Sequence, residues 1–144
     1  MGWLFISIIV VFISIILFLL NFYRDPKILI PKGNNIVAPA DGRVISIIDT
    51  SKSTIKIKKG LFGKVHALTN GIAKQCYVIS IFMSPFDVHM NRAPISGIIK
   101  SVKYTKGKFF KAYDLEKSWE NEKNEIMIQN NNMKVKVIQI AGFI

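Results

Sequence analysis

CYVISIFMSPFDVHMNRAP, residues Cys76 to Pro94, decides how the rest of the chain is read. Its first half is a short apolar run rich in β-branched and aromatic residues, the composition of a strand with at least one buried face. Pro85 ends that run, because proline has no N–H to give to a ladder. Directly after the break, Asp87, His89, Asn91 and Arg92 supply a carboxylate, an imidazole, an amide and a guanidinium within six residues. An imidazole both takes and gives a proton near neutrality, so a strand that opens into this polar cluster is a candidate acid–base site. Strict alternation puts Asp87, His89 and Asn91 on one face of an extended segment. A structural histidine with satisfied hydrogen bonds is the plainer reading of the same residue, and from these residues alone both stand.

Outward from this stretch, short apolar runs alternate with turn signals and few segments carry a helical period. Gly42 to Ile48, Thr54 to Lys58, Gln75 to Met83, Gly97 to Tyr104, Glu125 to Gln129 and Val135 to Ile140 read as strands. Asn130-Asn131-Asn132 reads as the turn of a hairpin between the last two. Lys56 and Lys58 alternate with Ile55 and Ile57, which gives that strand one wet, basic face. A helical piece fits only around Tyr113 to Lys123, and the Lys59 to Lys74 segment includes loop. The expected fold is mostly β, of barrel or sandwich type. Upstream, PADG (Pro39 to Gly42) is a tight turn into a strand, in which Asp41 either caps its own backbone or projects as a fixed carboxylate. Asp41 or Asp87 is then the acid available to orient the imidazole of His89, as the acid does in a Ser-His-Asp arrangement.

The N-terminal end is of a different character. Gly2 to Tyr23 contains no charged side chain. A run of about 20 apolar residues is long enough to cross a bilayer core as a helix. No basic start or small-residue cleavage site marks it as a removable signal. Trp3 and Tyr23 stand at its two ends as interfacial aromatics do, and Arg24, Lys27 and Lys32 follow at once. The positive-inside rule then puts the following domain on the cytoplasmic side of the cell membrane, with a monotopic hairpin as the alternative to a single pass. The expected organisation is a transmembrane anchor over residues 1–23, a basic linker over 24–35 and a β-rich domain over 36–144.

The formal charge of +11, from 20 basic and nine acidic residues among 144, draws the soluble part toward a polyanion. No groove-reading or zinc-finger signature points to nucleic acid, whereas a tethered domain has anionic lipid beside it. Nucleic acid is therefore not an expected partner. The single cysteine, Cys76, excludes an internal disulfide and any multi-cysteine metal site, and fits a small buried hydrophobe. His66 is the only other histidine and lies in the Gly-rich Lys59 to Asn70 segment, so no metal site is expected either.

FYRDP (Phe22 to Pro26), APADG (Ala38 to Gly42), the Cys76 to Pro94 run, SGIIKSVKYTKGKF (Ser96 to Phe109), ENEKNEI (Glu120 to Ile126) and VIQIAGFI (Val137 to Ile144) occur in this order. Together they resemble the successive blocks of the short-form phosphatidylserine decarboxylases. The resemblance implies an enzyme that removes the serine carboxylate from a phospholipid head group by means of a protein-derived pyruvoyl group, which accepts the substrate amine and acts as electron sink. It implies that Asp41 matches the acid of the PADG block and that His89 matches the histidine of the serine-proline-x-aspartate-x-histidine block, as proton donor to the carbanion. Longer forms carry a further histidine where this chain has Arg92. Arg24, Lys27, Lys32, Asn91 and Arg92 are the residues expected to face the lipid surface and substrate.

In that family the pyruvoyl group arises at a Gly-Ser step, and no Gly-Ser pair occurs in these 144 residues. The expectation is an N-terminal, β-chain-like portion that is inactive alone. Its partners would be the membrane, a phosphatidylserine-like lipid, a missing C-terminal α-chain segment and a second copy in a homo-oligomer. Two other classes stay open: a non-catalytic, membrane-tethered hybrid-barrel module that binds a partner protein, and a basic module that binds anionic lipid or nucleic acid without chemistry.

Overall fold

The computed structural model describes residues 2–51, 69, 72–73, 75–112, 114 and 117–142. The expected Thr54 to Lys58 strand and His66 lie outside them. Helix α1 spans Gly2–Phe22, and its 21 residues are long and apolar enough to cross a membrane. None of its side chains is buried against the rest of the chain. Its two serines do not break the apolar surface. Ser7 Oγ donates to the Trp3 carbonyl at 2.9 Å and Ser14 Oγ to the Val10 carbonyl at 2.8 Å, so each hydroxyl is satisfied one turn back within the helix.

Among the described residues, five strands follow in two antiparallel sheets. In the first, β1 (Arg43–Asp49) pairs with β2 (Tyr77–Phe82); in the second, the order is β3 (Ile98–Thr105), β4 (Lys123–Gln129), β5 (Lys134–Ile140). The mostly β expectation holds, but the sheets do not close into a barrel among the described residues. Bulges at Val44/Ser46 and Ile99/Ser101 increase the local twist of β1 and β3. The β1–β2 ladder is tied off at its far end by Thr50, whose N–H donates to the Cys76 carbonyl at 3.0 Å while its Oγ1 accepts the Cys76 N–H at 2.8 Å. Cys76 is a half-buried free thiol beside it.

The β4–β5 turn is where the three asparagines place it. Asn130 Oδ1 accepts the N–H groups of Asn132 and Met133 at 3.0 and 2.8 Å, and the Asn130 N–H returns to the Met133 carbonyl at 3.0 Å. On the same two strands a largely buried Lys136–Glu125 ion pair at 3.4 Å closes a diagonal contact. The helical piece expected around Tyr113 to Lys123 shrinks, among the described residues, to one 3₁₀ turn at Ser118–Glu120. Its continuation is pulled straight by backbone pairing: Lys108 N–H donates to Glu120 O at 2.8 Å and Glu122 N–H to Lys108 O at 3.0 Å, after which Lys123 enters β4.

Among the described residues the buried apolar side chains are Val88 and Ile95 from the β2–β3 connection and Met127 and Ile128 from β4, with Pro94 fully enclosed. The core thus sits under the connection that carries the polar cluster. The Val37 N–H donates to the Pro94 carbonyl and the Arg92 N–H to the Pro39 carbonyl, at 2.9 and 2.8 Å, which clamps the segment before β1 along the same connection.

Candidate active site

The turn into β1 is set by Gly42. Its φ of +126° lies where L side chains rarely go, and a Cβ there would sit 2.4 Å from the Phe82 carbonyl oxygen. This close approach brings the PADG turn against the end of β2 and aims Asp41 at the loop beyond it. Asp41 Oδ1 accepts its own Gly42 N–H at 3.0 Å, and Oδ2 accepts the Val88 N–H at 3.2 Å. Both roles read from the sequence are therefore present in one carboxylate, which caps its own backbone and projects across 47 residues to fix the neighbour of His89.

Asp87 closes the loop on itself. Its Oδ2 accepts the Ser84 N–H at 2.7 Å, and its own N–H donates to the Ser84 carbonyl at 3.0 Å. The oxygen bonded to the imidazole is the Asp87 backbone carbonyl, 3.0 Å from His89 Nδ1. Both candidate carboxylates thus go to backbone N–H groups, and each acts on His89 through the loop that carries it. With Nδ1 protonated the ring donates to that carbonyl, which leaves Nε2 with its lone pair and without a hydrogen-bond partner among the described residues.

The face of the ring is held from the α1 side. Phe22, the last residue of α1, stacks on His89 with centroids 3.8 Å apart and planes 22° from parallel. Arg24 donates through Nη2 to the Phe86 carbonyl at 3.1 Å and through Nη1 to Asn21. Arg92 is paired with Asp25 and donates to the Pro26 carbonyl at 3.1 Å, so it staples the linker to the loop. Of the cations expected at a lipid surface, Arg24 and Arg92 are engaged in these contacts, while Lys27 and Lys32 are exposed in the linker.

Asn91 meets Gln139 of β5, whose Nε2 donates to Asn91 Oδ1 at 2.8 Å. Asn91 Nδ2 is buried with no acceptor among the described residues. The cluster expected after Pro85 is thus a bent loop in which Asp87 turns inward to the backbone, His89 faces Phe22 and Asn91 faces β5. Two participants carried no local signal. Phe22 reads as one more apolar residue of the anchor, and Gln139 as one polar position of an alternating strand. No group of three or more histidine, cysteine or acidic side chains suited to a metal occurs among the described residues.

A family model described as phosphatidylserine decarboxylase matches residues 15–144. A Methanocaldococcus jannaschii protein, provisionally named an archaetidylserine decarboxylase proenzyme, is 43% identical over 91% of this chain and 64% of its own length. Phosphatidylserine decarboxylase proenzymes of Chlorobium phaeobacteroides and Chlorobium phaeovibrioides are each 40% identical, over 91% and 90% of this chain and 54% and 52% of their own lengths. The chain therefore spans between about half and two thirds of the relatives it matches. The match covers the end of α1, the PADG turn, the histidine loop and both sheets, and on that ground the chain belongs to the phosphatidylserine decarboxylase family.

Proposed function

We propose that these residues form the membrane-anchored, N-terminal part of a decarboxylase acting on a serine-headed phospholipid, and that His89 is its proton-transfer group. The observation that carries the reading is the presentation of His89. Its ring is fixed by the Asp87 carbonyl and by Phe22, its Nε2 has no hydrogen-bond partner among the described residues, and it stands at the end of a helix apolar enough to span a bilayer. A phospholipid head group meets the protein at that height. Residues 36–144 face the cytoplasm, with Lys27 and Lys32 against anionic head groups. Relatives named for phosphatidylserine and for archaetidylserine share the serine head group, so the reading extends to the head group and leaves the lipid tails open.

The family's proenzyme naming fits a pyruvoyl group made from an internal serine, which when present supplies an electrophilic carbonyl for the substrate amine. These 144 residues contain no Gly-Ser pair from which it would form. Their own contribution is to hold and to move a proton. His89 Nε2 would take a proton from a hydroxyl during self-processing and would return one to the substrate carbon that loses its carboxylate. Asp41 holds the loop by its Val88 contact, and the buried Asn91 Nδ2 is a donor awaiting an acceptor. The exposed apolar faces of β1–β2 and β3 are the docking surface for the remaining, C-terminal length of the family's polypeptide.

Co-expression tests this. The chain alone is expected neither to cleave itself nor to release carbon dioxide from phosphatidylserine. Adding the C-terminal segment of a relative, with its Gly-Ser step, should restore cleavage and a pyruvoyl terminus detectable by mass spectrometry. His89→Ala should abolish cleavage while the two pieces still co-purify, and Asp41→Asn should slow it. Undiminished cleavage with His89→Ala would refute the assignment.

A further inference from the structure

The loop tip that precedes His89 carries a ring with no place in water. Phe86 is 70% exposed, yet one edge of it lies against Phe18 of α1, with centroids 6.3 Å apart and planes at 89°. Phe18 sits one helical turn inside the last residue of the anchor, about 6 Å along the axis at the usual rise per residue. The 21 residues of α1 give about 31 Å of length, close to the thickness of a bilayer core, so the helix has little slack with which to ride up or down. The ring of Phe86 is thus level with side chains that face acyl chains. The stacked Phe22–His89 pair lies at the boundary, and Arg24 and Lys27 follow in the head-group layer.

The connection between loop and helix is polar and fixed at the same level. The Phe86 carbonyl accepts Arg24 Nη2 at 3.1 Å and Asn21 Nδ2 at 3.5 Å. The backbone of the loop tip therefore spends its acceptor on the end of the anchor, while its side chain points along the anchor's apolar surface. A loop held in this manner cannot leave the end of α1 without breaking those contacts.

We propose that the Pro85-Phe86 tip is a second membrane-inserted element, a hydrophobic wedge whose occupant is the acyl region of the bilayer and which sets the depth at which His89 meets a lipid head group. The inference rests on the membrane anchoring proposed above. It adds an interaction surface in the loop itself, and it makes Phe86 a residue that positions His89 against the lipid.

The test uses the whole chain in vesicles of phosphatidylcholine and phosphatidylglycerol. Phe86→Trp in a Trp3→Phe background keeps the aromatic contact with Phe18 and leaves Trp119, within the β-rich domain, as internal reference. The new indole should emit to the blue and should resist aqueous iodide. Lipids brominated near the head-group end of the chain should quench it about twofold more than lipids brominated near the bilayer centre. As a second measurement, an environment-sensitive probe on Phe86→Cys in a Cys76→Ser background should match this shallow depth, while the same probe on Asn131→Cys, at the hairpin tip, should report water. Flotation of the protein with the vesicles while the position-86 reporters stay open to iodide would overturn the wedge and leave the anchor standing. Release of the protein by carbonate would overturn both. Protection from iodide without quenching by either lipid would mean that protein covers the ring, and would equally overturn the wedge.

Discussion

Asn121 offers the sharpest test of how the domain is held together. It is 1% exposed, and all of its amide is used. Oδ1 accepts the Phe110 N–H at 2.7 Å, while Nδ2 donates to the Phe110 and Ala141 carbonyls, both at 2.8 Å. One side chain thereby joins the segment after β3, the 3₁₀ turn and the end of β5. Asn121→Ala strips three backbone groups of their partner. At about 1–3 kcal/mol for each buried group left unpaired, with water recovering part because Phe110 and Ala141 are half-buried, the loss is about 3–5 kcal/mol. That is a large share of the roughly 5–15 kcal/mol of a typical domain.

Asn121→Asp keeps the shape and the acceptor for Phe110 N–H, but it sets a carboxylate oxygen against two carbonyl oxygens. Only the protonated acid can donate there, so its pKa in the folded state must rise above the unfolded value of about 3.9. A raised pKa contributes stability below the unfolded value, and this is lost as pH climbs through the folded one. At about pH 4 the variant should trail the parent by roughly one hydrogen bond, about 1 kcal/mol, and near neutrality it should be at least as weak as Asn121→Ala. Urea unfolding in detergent micelles, followed by the emission of Trp119, reads this directly, because Trp119 lies two residues from the substitution while Trp3 stands near the far end of α1. An Asn121→Asp protein as stable as the parent at neutral pH, or one whose deficit does not shrink on acidification, would refute the reasoning.

Two further outcomes are expected. Gly42→Ala combines a φ of +126° with a Cβ placed 2.4 Å from the Phe82 carbonyl oxygen, and should cost about 2–4 kcal/mol and open the PADG turn to limited proteolysis; unchanged urea and protease resistance would show that the turn is not fixed by that glycine. Tyr104 has its pKa raised, first by the hydrogen bond to Glu122, then by desolvation and by that carboxylate's charge. Its stabilising contribution is present below the ordinary tyrosine value of about 10 and is lost as pH rises through the higher folded value. In spectrophotometric titration, Tyr104→Phe should accordingly remove a phenol that titrates above the ordinary range, and Glu122→Gln should bring that phenol back toward it.

What the sequence made legible follows from the range over which each signal acts. Composition alone marks α1, and alternation with turn residues marks all five strands, because both are local. Their ends move by a residue or two for reasons that are not local. Gly42 drops out of β1 because the approach to Phe82 demands a positive φ, and β4 begins at Lys123 because Lys123 pairs with Ile140. The expected helix near Tyr113 to Lys123 loses to long-range pairing with Lys108. The candidate site divides the same way. A carboxylate at Asp41 and an imidazole at His89 are visible in the motifs, but the Val88 N–H that Asp41 reaches, the Phe22 ring under His89 and the Gln139 amide on Asn91 are tertiary partners distant in the chain. Asn121 is the clearest case, since within ENEKNEI an asparagine reads as one more polar surface residue.

The distribution of burial ties these observations together. Val88, Pro94 and Ile95 are enclosed and all belong to the β2–β3 connection, joined by Met127 and Ile128 of β4. By contrast Ile47 and its cross-strand partner Ile79, with Tyr77 beside them, are exposed on β1–β2, and Ile98, Ile99 and Val102 are exposed on β3. In most β domains the sheets supply the core and the loops hang from it. Here the connection carrying His89 is the packed element, pinned by Asp41 on one side and by Phe22 and Arg24 on the other, while apolar strand faces remain open. The residues that hold His89 are therefore independent of what covers those faces. The contacts that fix the imidazole, from the Asp87 carbonyl and from the Phe22 ring, thus lie apart from the open strand faces.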